Sequence, residues 1–230
     1  MIEETDFETF LYISKNKYQI YVYDKKNLKN LYNEELSFIE EANLNSFSKF
    51  LEKNIYKIEK KVSNFIRNII LIIEDDKILS INIAIKKKNY EKHQNQKYLE
   101  NNLTEIKDIF RENYPNQIIM HMNIVNNDKN ENDFLFNNVN NNDYLFLEVN
   151  FISIPNKFTL NFDKLLKNHQ IQIRRYMSGT YIESYLSEEI TEFSEMAYKL
   201  NNGSNKNEVQ LVSKSIQNKG FFERFFQLLS

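Results

Sequence analysis

Cysteine is absent from this chain of 230 residues, which excludes disulfides, thiolate metal sites and cysteine nucleophiles. Glycine is nearly absent too: Gly179, Gly203 and Gly220 are the only three, beside two prolines. A codon bias toward Asn, Lys, Ile, Tyr and Phe would thin glycine everywhere. It could not remove the glycines that a phosphate-cradling loop needs for positive φ or close backbone approach. Neither G-x-G-x-x-G nor G-x-x-x-x-G-K-[ST] occurs. No charge of one sign dominates, since 30 basic residues face 32 acidic ones for a net charge of −2. A basic field for nucleic acid is therefore missing, and no nucleic-acid partner is expected. The longest apolar run, Ile69 to Ile73, is far short of the roughly 20 residues of a membrane span. The acidic opening Met1-Ile-Glu-Glu-Thr-Asp6 has no apolar h-region, so no secretory signal and a cytoplasmic location are expected.

What is present suits a folded protein with a substantial core, in one domain or two small ones. Hydrophobic content is 41% and charged content 27%, the balance of an ordinary globular chain. Residues 9–36 alternate Phe10, Tyr12, Tyr18, Ile20 and Val22 with polar positions, which predicts a strand meander around the turns Ser14–Lys17 and Asp24–Asn27. Phe47, Phe50, Leu51, Ile55, Ile58, Val62, Phe65 and Ile66 recur at helical spacing, predicting a helix from Phe47 to about Arg67 with Ser46 as its N-cap. The unbroken β-branched run at 68–74 predicts a buried central strand. After the turn Asp75-Asp76, alternation from Ile78 to Lys86 predicts a strand with one buried face. The polar stretch Lys86–Gln96 reads as a subdomain boundary.

Further on, Leu99, Leu103, Ile106 and Phe110 predict a helix over 98–113, stopped by Pro115. Strands are predicted at 117–125, 133–139 and 144–154, and Pro155 opens a short helix through Phe158, Phe162, Leu165 and Leu166. Ile171, Ile173 and Arg175 alternate as a last strand with Gly179 at its turn, followed by a helix over 181–200. Residues 201–207 are rich in Asn, Gly and Ser, and read as the start of a flexible linker. Val209, Leu211 and Val212 make a weak apolar patch after them.

Candidate chemistry is sparse. His93, His121 and His169 share no metal-ligand spacing, and read as surface or strand-pairing histidines. The pairs Glu34-Glu35, Glu40-Glu41, Asp75-Asp76 and Glu188-Glu189 are adjacent in sequence, so their side chains diverge and read as solvated charges. Lys86-Lys87-Lys88 reads as a solvated strand end, with anionic lipid as a second reading. No catalytic, cofactor-binding or metal residue is assigned, and the chain is expected not to be an enzyme. The terminal stretch Gly220-Phe-Phe-Glu-Arg-Phe-Phe-Gln-Leu-Leu-Ser230 is different. On a wheel at about 100° per residue Phe221, Phe222, Phe225, Phe226, Leu228 and Leu229 fill one arc, predicting a membrane-binding amphipathic helix. Half-burying each side chain gives roughly 1 kcal/mol, a weak foot that gains strength in an oligomer. Lys219 and Arg224 would add attraction to an anionic leaflet.

The order of these elements resembles the N-terminal half of the FtsA family of bacterial cell-division proteins, actin-like membrane tethers for the FtsZ ring. Phe10–Lys87 looks like the opening of an actin-like subdomain. Tyr98–Gln170, with Ile118-Ile-Met-His-Met-Asn123 and Leu145–Ile154, looks like the family's inserted subdomain. Ile171–Leu186 looks like the return strand and helix, and Lys219–Leu229 is similar to the family's membrane-targeting helix. The resemblance implies an α/β (α+β) fold: a partial actin-like, ribonuclease H-like subdomain over 1–88 and 171–200, and an inserted α+β subdomain over 89–170. A flexible linker over 201–219 and the amphipathic helix over 220–230 complete it. It further implies a non-catalytic peripheral-membrane scaffold that self-associates and meets other division proteins at the septum. Two features depart from the family. Ser14-Lys-Asn-Lys-Tyr18 stands where the first phosphate loop has an Asp/Gly turn, and the second half, which binds ATP and the FtsZ tail, has no counterpart. No cofactor is therefore expected. The alternatives are an actin-like platform protein of a pilus or secretion assembly and a nucleotide-dependent enzyme.

Overall fold

A computed structural model of the chain describes residues 6–38, 44–88, 96–125, 144–186, 190 and 192–209. The chain divides into two compact units, Met1–Ile78 with Ile154–Ser204 and Leu79–Ser153 with Asn205–Ser230. The fold class is mixed α/β, as the sequence predicts.

The first unit is built on a five-stranded sheet in the order β3-β2-β1-β4-β8. Its strands are β1 Phe7–Ile13, β2 Lys17–Asp24, β3 Lys29–Ser37, β4 Asn68–Ile73 and β8 Gln172–Ser178. β1, β2 and β3 form the antiparallel meander, whereas β4 runs parallel to both β1 and β8. A strand flanked by parallel neighbours and covered on both faces must be apolar throughout. That is why β4 reads Asn-Ile-Ile-Leu-Ile-Ile, with every residue after Asn68 buried.

Strand alternation splits the core of this unit. Phe10, Tyr12, Tyr21, Tyr23, Ile70, Ile72 and Met177 pack with Ile182 and Leu186 of α4 (Gly179–Leu186) and with Met196, Ala197 and Leu200 of α5 (Phe193–Asn201). The opposite face carries Tyr18, whose ring meets Phe47 of α1 (Leu44–Val62) at 5.1 Å. Phe47 in turn meets Phe162 of α3 (Asn156–Asn168) at 5.0 Å. Each such side chain, fully buried, contributes roughly 1.5–3 kcal/mol.

The second unit has a three-stranded sheet in the order β5-β7-β6, from β5 Leu79–Lys88, β7 Tyr144–Pro155 and β6 Gln117–Ile124. α2 (Gln96–Asn113) covers one face with Leu99, Leu103, Ile106 and Phe110. These pack with Met122, Ile124, Leu147, Val149 and Phe151, and with the half-buried Ile81, Ile83 and Ile85 of β5.

Several boundaries differ from the sequence reading, each for a packing reason. The units part at 78/79 and 153/154, not at 88/89 and 170/171. β5 is hydrogen-bonded to β7 from Leu79 to Lys88, so it belongs to the second sheet. α3 belongs to the first unit through Phe162 and through Tyr176, whose hydroxyl donates to Asp163 Oδ1 at 2.6 Å. α1 starts at Leu44 and ends at Val62, because Ser63 turns left-handed at φ 53° and Phe65 stands 69% exposed. Ser46 thus lies inside the first turn, not at the cap.

The single helix expected over 181–200 is two helices. Ile190 tucks into the core between them, its N–H donating to Leu186 C=O at 3.0 Å, and α5 folds back to bury Met196 and Leu200 on the same sheet face. Residues 205–209 are docked on β6 and are not linker. The strand expected at 133–139 lies outside the described residues.

Candidate functional site

In open α/β sheets, ligands bind at the carboxyl ends of parallel strands, where helix N-termini attract anions. In the first unit β1, β4 and β8 end together in this way. Tyr12 is the penultimate residue of β1, and Glu74 follows β4, its N–H donating to Ile13 C=O at 2.9 Å. Gly179 follows β8 and opens α4. The Tyr12 hydroxyl donates to Glu74 Oε2. A Cβ at Gly179 would stand 3.0 Å from Tyr12 Cε2, 3.5 Å from Glu74 Cβ and 3.6 Å from Glu74 Oε2, so any larger residue here would press on the Tyr12 ring.

The Tyr12 ring is boxed in further. Phe193 meets it edge-on at 5.3 Å and Lys17 Nζ lies 4.9 Å from its centroid. Burial, reinforced by the hydrogen bond to Glu74 and its charge, holds the Tyr12 phenol well above the usual tyrosine range. The neighbouring Tyr21 phenol is also pushed well up, by burial first and by Tyr12 second.

The β1–β2 turn is closed on itself. Ser14 N–H donates to Lys17 C=O at 2.9 Å, Ser14 Oγ donates to Asn16 Oδ1 at 2.9 Å, and exposed Lys15 pairs with Asp76 at 2.8 Å. An exposed pair of this kind is screened by solvent and contributes little. Thus the edge that would cradle a phosphate is filled by a phenol ring and a carboxylate. An incoming anion would meet like charge at the mouth of α4.

The second unit holds a pair that sequence reading missed. His121 of β6 is buried, and its Nδ1 lies 2.7 Å from Glu208 Oε1, with the two side chains 0% and 2% exposed. Of the two readings, surface or strand-pairing, the surface one is corrected: His121 lies in a paired strand, and its buried ring meets a carboxylate from a segment read as linker. The apolar Val209 was the one local signal, since it marks a segment that seeks a core; nothing in composition points Glu208 at a histidine.

The other candidates are scattered. His169 is the C-cap residue of α3, and Lys87 pairs with Glu105 of α2. Glu34 is within 3.4 Å of Lys57 and Glu35 within 3.7 Å of Lys17, both on exposed surface. Among the described residues no three His, Asp or Glu side chains come together to hold a metal. Phe221, Phe222, Phe225, Phe226, Leu228, Leu229, Lys219 and Arg224, like His93, Glu40-Glu41 and Glu188-Glu189, lie outside the described residues. Among the described residues no helix is long and apolar enough to cross a membrane.

The architecture defines a mixed α/β protein with two sheets, the first part parallel and part antiparallel. No protein-family model matches the sequence, and no curated protein does. Among solved structures, the PilM–PilN type IV pilus biogenesis complex is similar with a TM-score of 0.50 and 9% identity, over 79% of this chain and 50% of that one. The cytoplasmic domain of EpsL, an inner-membrane component of the type II secretion system of Vibrio cholerae, gives 0.41 and 8% identity, over 76% and 58%. A Bacteroides thetaiotaomicron protein with an actin-like ATPase fold gives 0.33 and 14%, over 82% and 60%. The chain spans 50% to 60% of the length of these structures. At such identities the likeness is one of fold.

Proposed function

We propose that the chain is a non-catalytic platform protein of a membrane-associated assembly, of the pilus or secretion kind. The filled carboxyl edge of the parallel strands carries the non-catalytic half of this reading: Tyr12, Glu74 and Gly179 pack where a nucleotide's phosphates would need donors and space. The assembly half draws on the fold's likeness to a complex whose title names type IV pilus biogenesis. It takes the place of the cell-division scaffold expected from the resemblance to the FtsA family, for which no similar solved structure given above offers support. In this reading the partners are further copies of the chain and an inner-membrane assembly protein. The terminal aromatic segment with Lys219 and Arg224 would be a weak foot on the membrane surface.

The test is co-purification from native membranes with the full chain as bait, alongside thermal melting with ATP and Mg²⁺. Pilus or secretion assembly proteins should be recovered, and melting temperature should not move. Recovery of division proteins would return the reading to a division scaffold. A saturable rise in melting temperature with MgATP would overturn the non-catalytic assignment.

A further inference from the structure

Among the described residues, the outer edge of β6 has an occupant that is not a strand of the sheet. β6 is the last strand in the order β5-β7-β6, so its outward backbone groups need partners from elsewhere. They find them in a short segment beyond α5. Ile124 N–H donates to Asn207 C=O at 2.9 Å and Val209 N–H donates to Met122 C=O at 2.8 Å, around an antiparallel bridge of Asn123 with Glu208.

Pleating then sorts the side chains. Glu208 stands on the face of Asn123 and His121, where its carboxylate meets His121 Nδ1 at 2.7 Å. Val209 stands on the other face and is 4% exposed in the cluster of Met122, Ile124 and Phe110. Asn205 shapes the approach: its Oδ1 accepts from Asn207 N–H at 2.9 Å, its C=O accepts from Glu208 N–H at 3.2 Å, and its Nδ2 donates to Asn123 Oδ1 at 3.4 Å.

We propose that the outer edge of β6 is a strand-docking site that reads a carboxylate through His121, and that residues 205–209 are its occupant in cis. The ligand class is an extended peptide in which an acidic side chain is followed by an aliphatic one. The backbone bonds give it the mode of strand addition to a sheet edge, while the buried imidazole and the apolar cluster give selectivity. The cis segment suits an exchangeable occupant. It reaches β6 through Asn202-Gly203-Ser204, with Gly203 at φ 87°, and it holds the edge by one bridge, whereas β5 and β7 are paired from Leu79 to Lys88. A few local bonds open independently of a full ladder. This site is separate from the strand ends of the first unit and does not depend on the nucleotide question.

Amide exchange on the full chain, followed by NMR, tests both parts. In Glu208→Ala, which takes the carboxylate away from the buried His121 ring, the Ile124 and Val209 amides should lose protection by about 100-fold or more, while amides of the β5–β7 ladder keep theirs. Glu208→Gln, which preserves volume, should show the same pattern more weakly and guards against a variant that fails to fold. A synthetic peptide of residues 205–210 should then shift the His121, Met122 and Ile124 resonances of the Glu208→Ala chain. The same peptide with alanine for the glutamate should not. Loss of protection throughout β5 and β7 in both variants would make the segment an inseparable part of the core and overturn the proposal. So would equal shifts from both peptides, or none from either.

Discussion

At Tyr12 three elements meet through one phenol, and the fit is tight enough for single substitutions to register. Tyr12→Phe removes the donor to Glu74 but leaves a half-buried carboxylate that water can reach, so the cost should be about 1 kcal/mol, read as a lower urea midpoint. Gly179→Ala brings a methyl group to 3.0 Å from the Tyr12 ring, which must give way. A loss of about 1 kcal/mol is expected, at the low end for overpacking because alanine also favours the helix. An unchanged midpoint in Gly179→Ala would mean that the ring is not held where the structure places it. Neither effect was legible in the sequence. Tyr12 and Gly179 were recognised there as a strand residue and a turn, but their approach depends on β1 and β8 both flanking β4.

The elements are held by side chains that periodicity alone does not single out. Asn54 sits on the buried face of α1, where it donates to Phe50 C=O at 2.7 Å and accepts from the Tyr32 hydroxyl of β3 at 2.6 Å. Asn54→Ala should cost about 2 kcal/mol in chemical unfolding, because Tyr32 loses its acceptor. Adding Tyr32→Phe to it should cost less than the sum of the single effects.

The end of α3 makes the opposite case, a place where the native residue is not the best one. Ile171 N–H returns to Leu166 C=O at 3.0 Å and Gln170 N–H to Lys167 C=O at 2.9 Å, a Schellman closure that puts Gln170 in the left-handed region at φ 59°. Gln170→Gly should therefore raise stability by about 0.5–1 kcal/mol, seen as a melting temperature higher by a few degrees. A lower one would show that the glutamine side chain matters more than its backbone. A chain this poor in glycine gives no compositional cue for such a cap, which is why the α3 terminus could be placed but not its geometry.

At the scale of the molecule, the tyrosines set the response to alkali. Tyr12, Tyr18, Tyr21, Tyr23, Tyr32, Tyr176 and Tyr198 are all raised above the ordinary value near 10, with burial the first cause in each. In the folded chain these phenols keep their protons while the unfolded chain releases them near pH 10. Their contribution to stability is thus fully present below about pH 10 and is lost as pH rises above it. Urea unfolding between pH 8 and 11, followed with phenolate absorbance, should show stability falling only above about 10, with part of the phenolate signal released only on unfolding. The full phenolate signal of all 14 tyrosines appearing near pH 10 in a chain that stays folded would refute the burial of these seven rings.

Read alone, the sequence determined the elements that satisfy their own periodicity. The apolar run of β4, the meander β1–β3, the stripe of α2 and the apolar face of α1 must each bury what they carry, whatever surrounds them. It also determined that no glycine-built phosphate loop exists. Tertiary structure decided what depends on two distant segments meeting: that β5 belongs with β7, that α4 and α5 fold back around Ile190, that Glu208 crosses from a polar stretch to a buried histidine, and that Tyr12 and Glu74 close the strand ends. Periodicity reports which face of an element is buried, but not the partner that buries it. That partner is set by sheet order and crossover, which no local window contains.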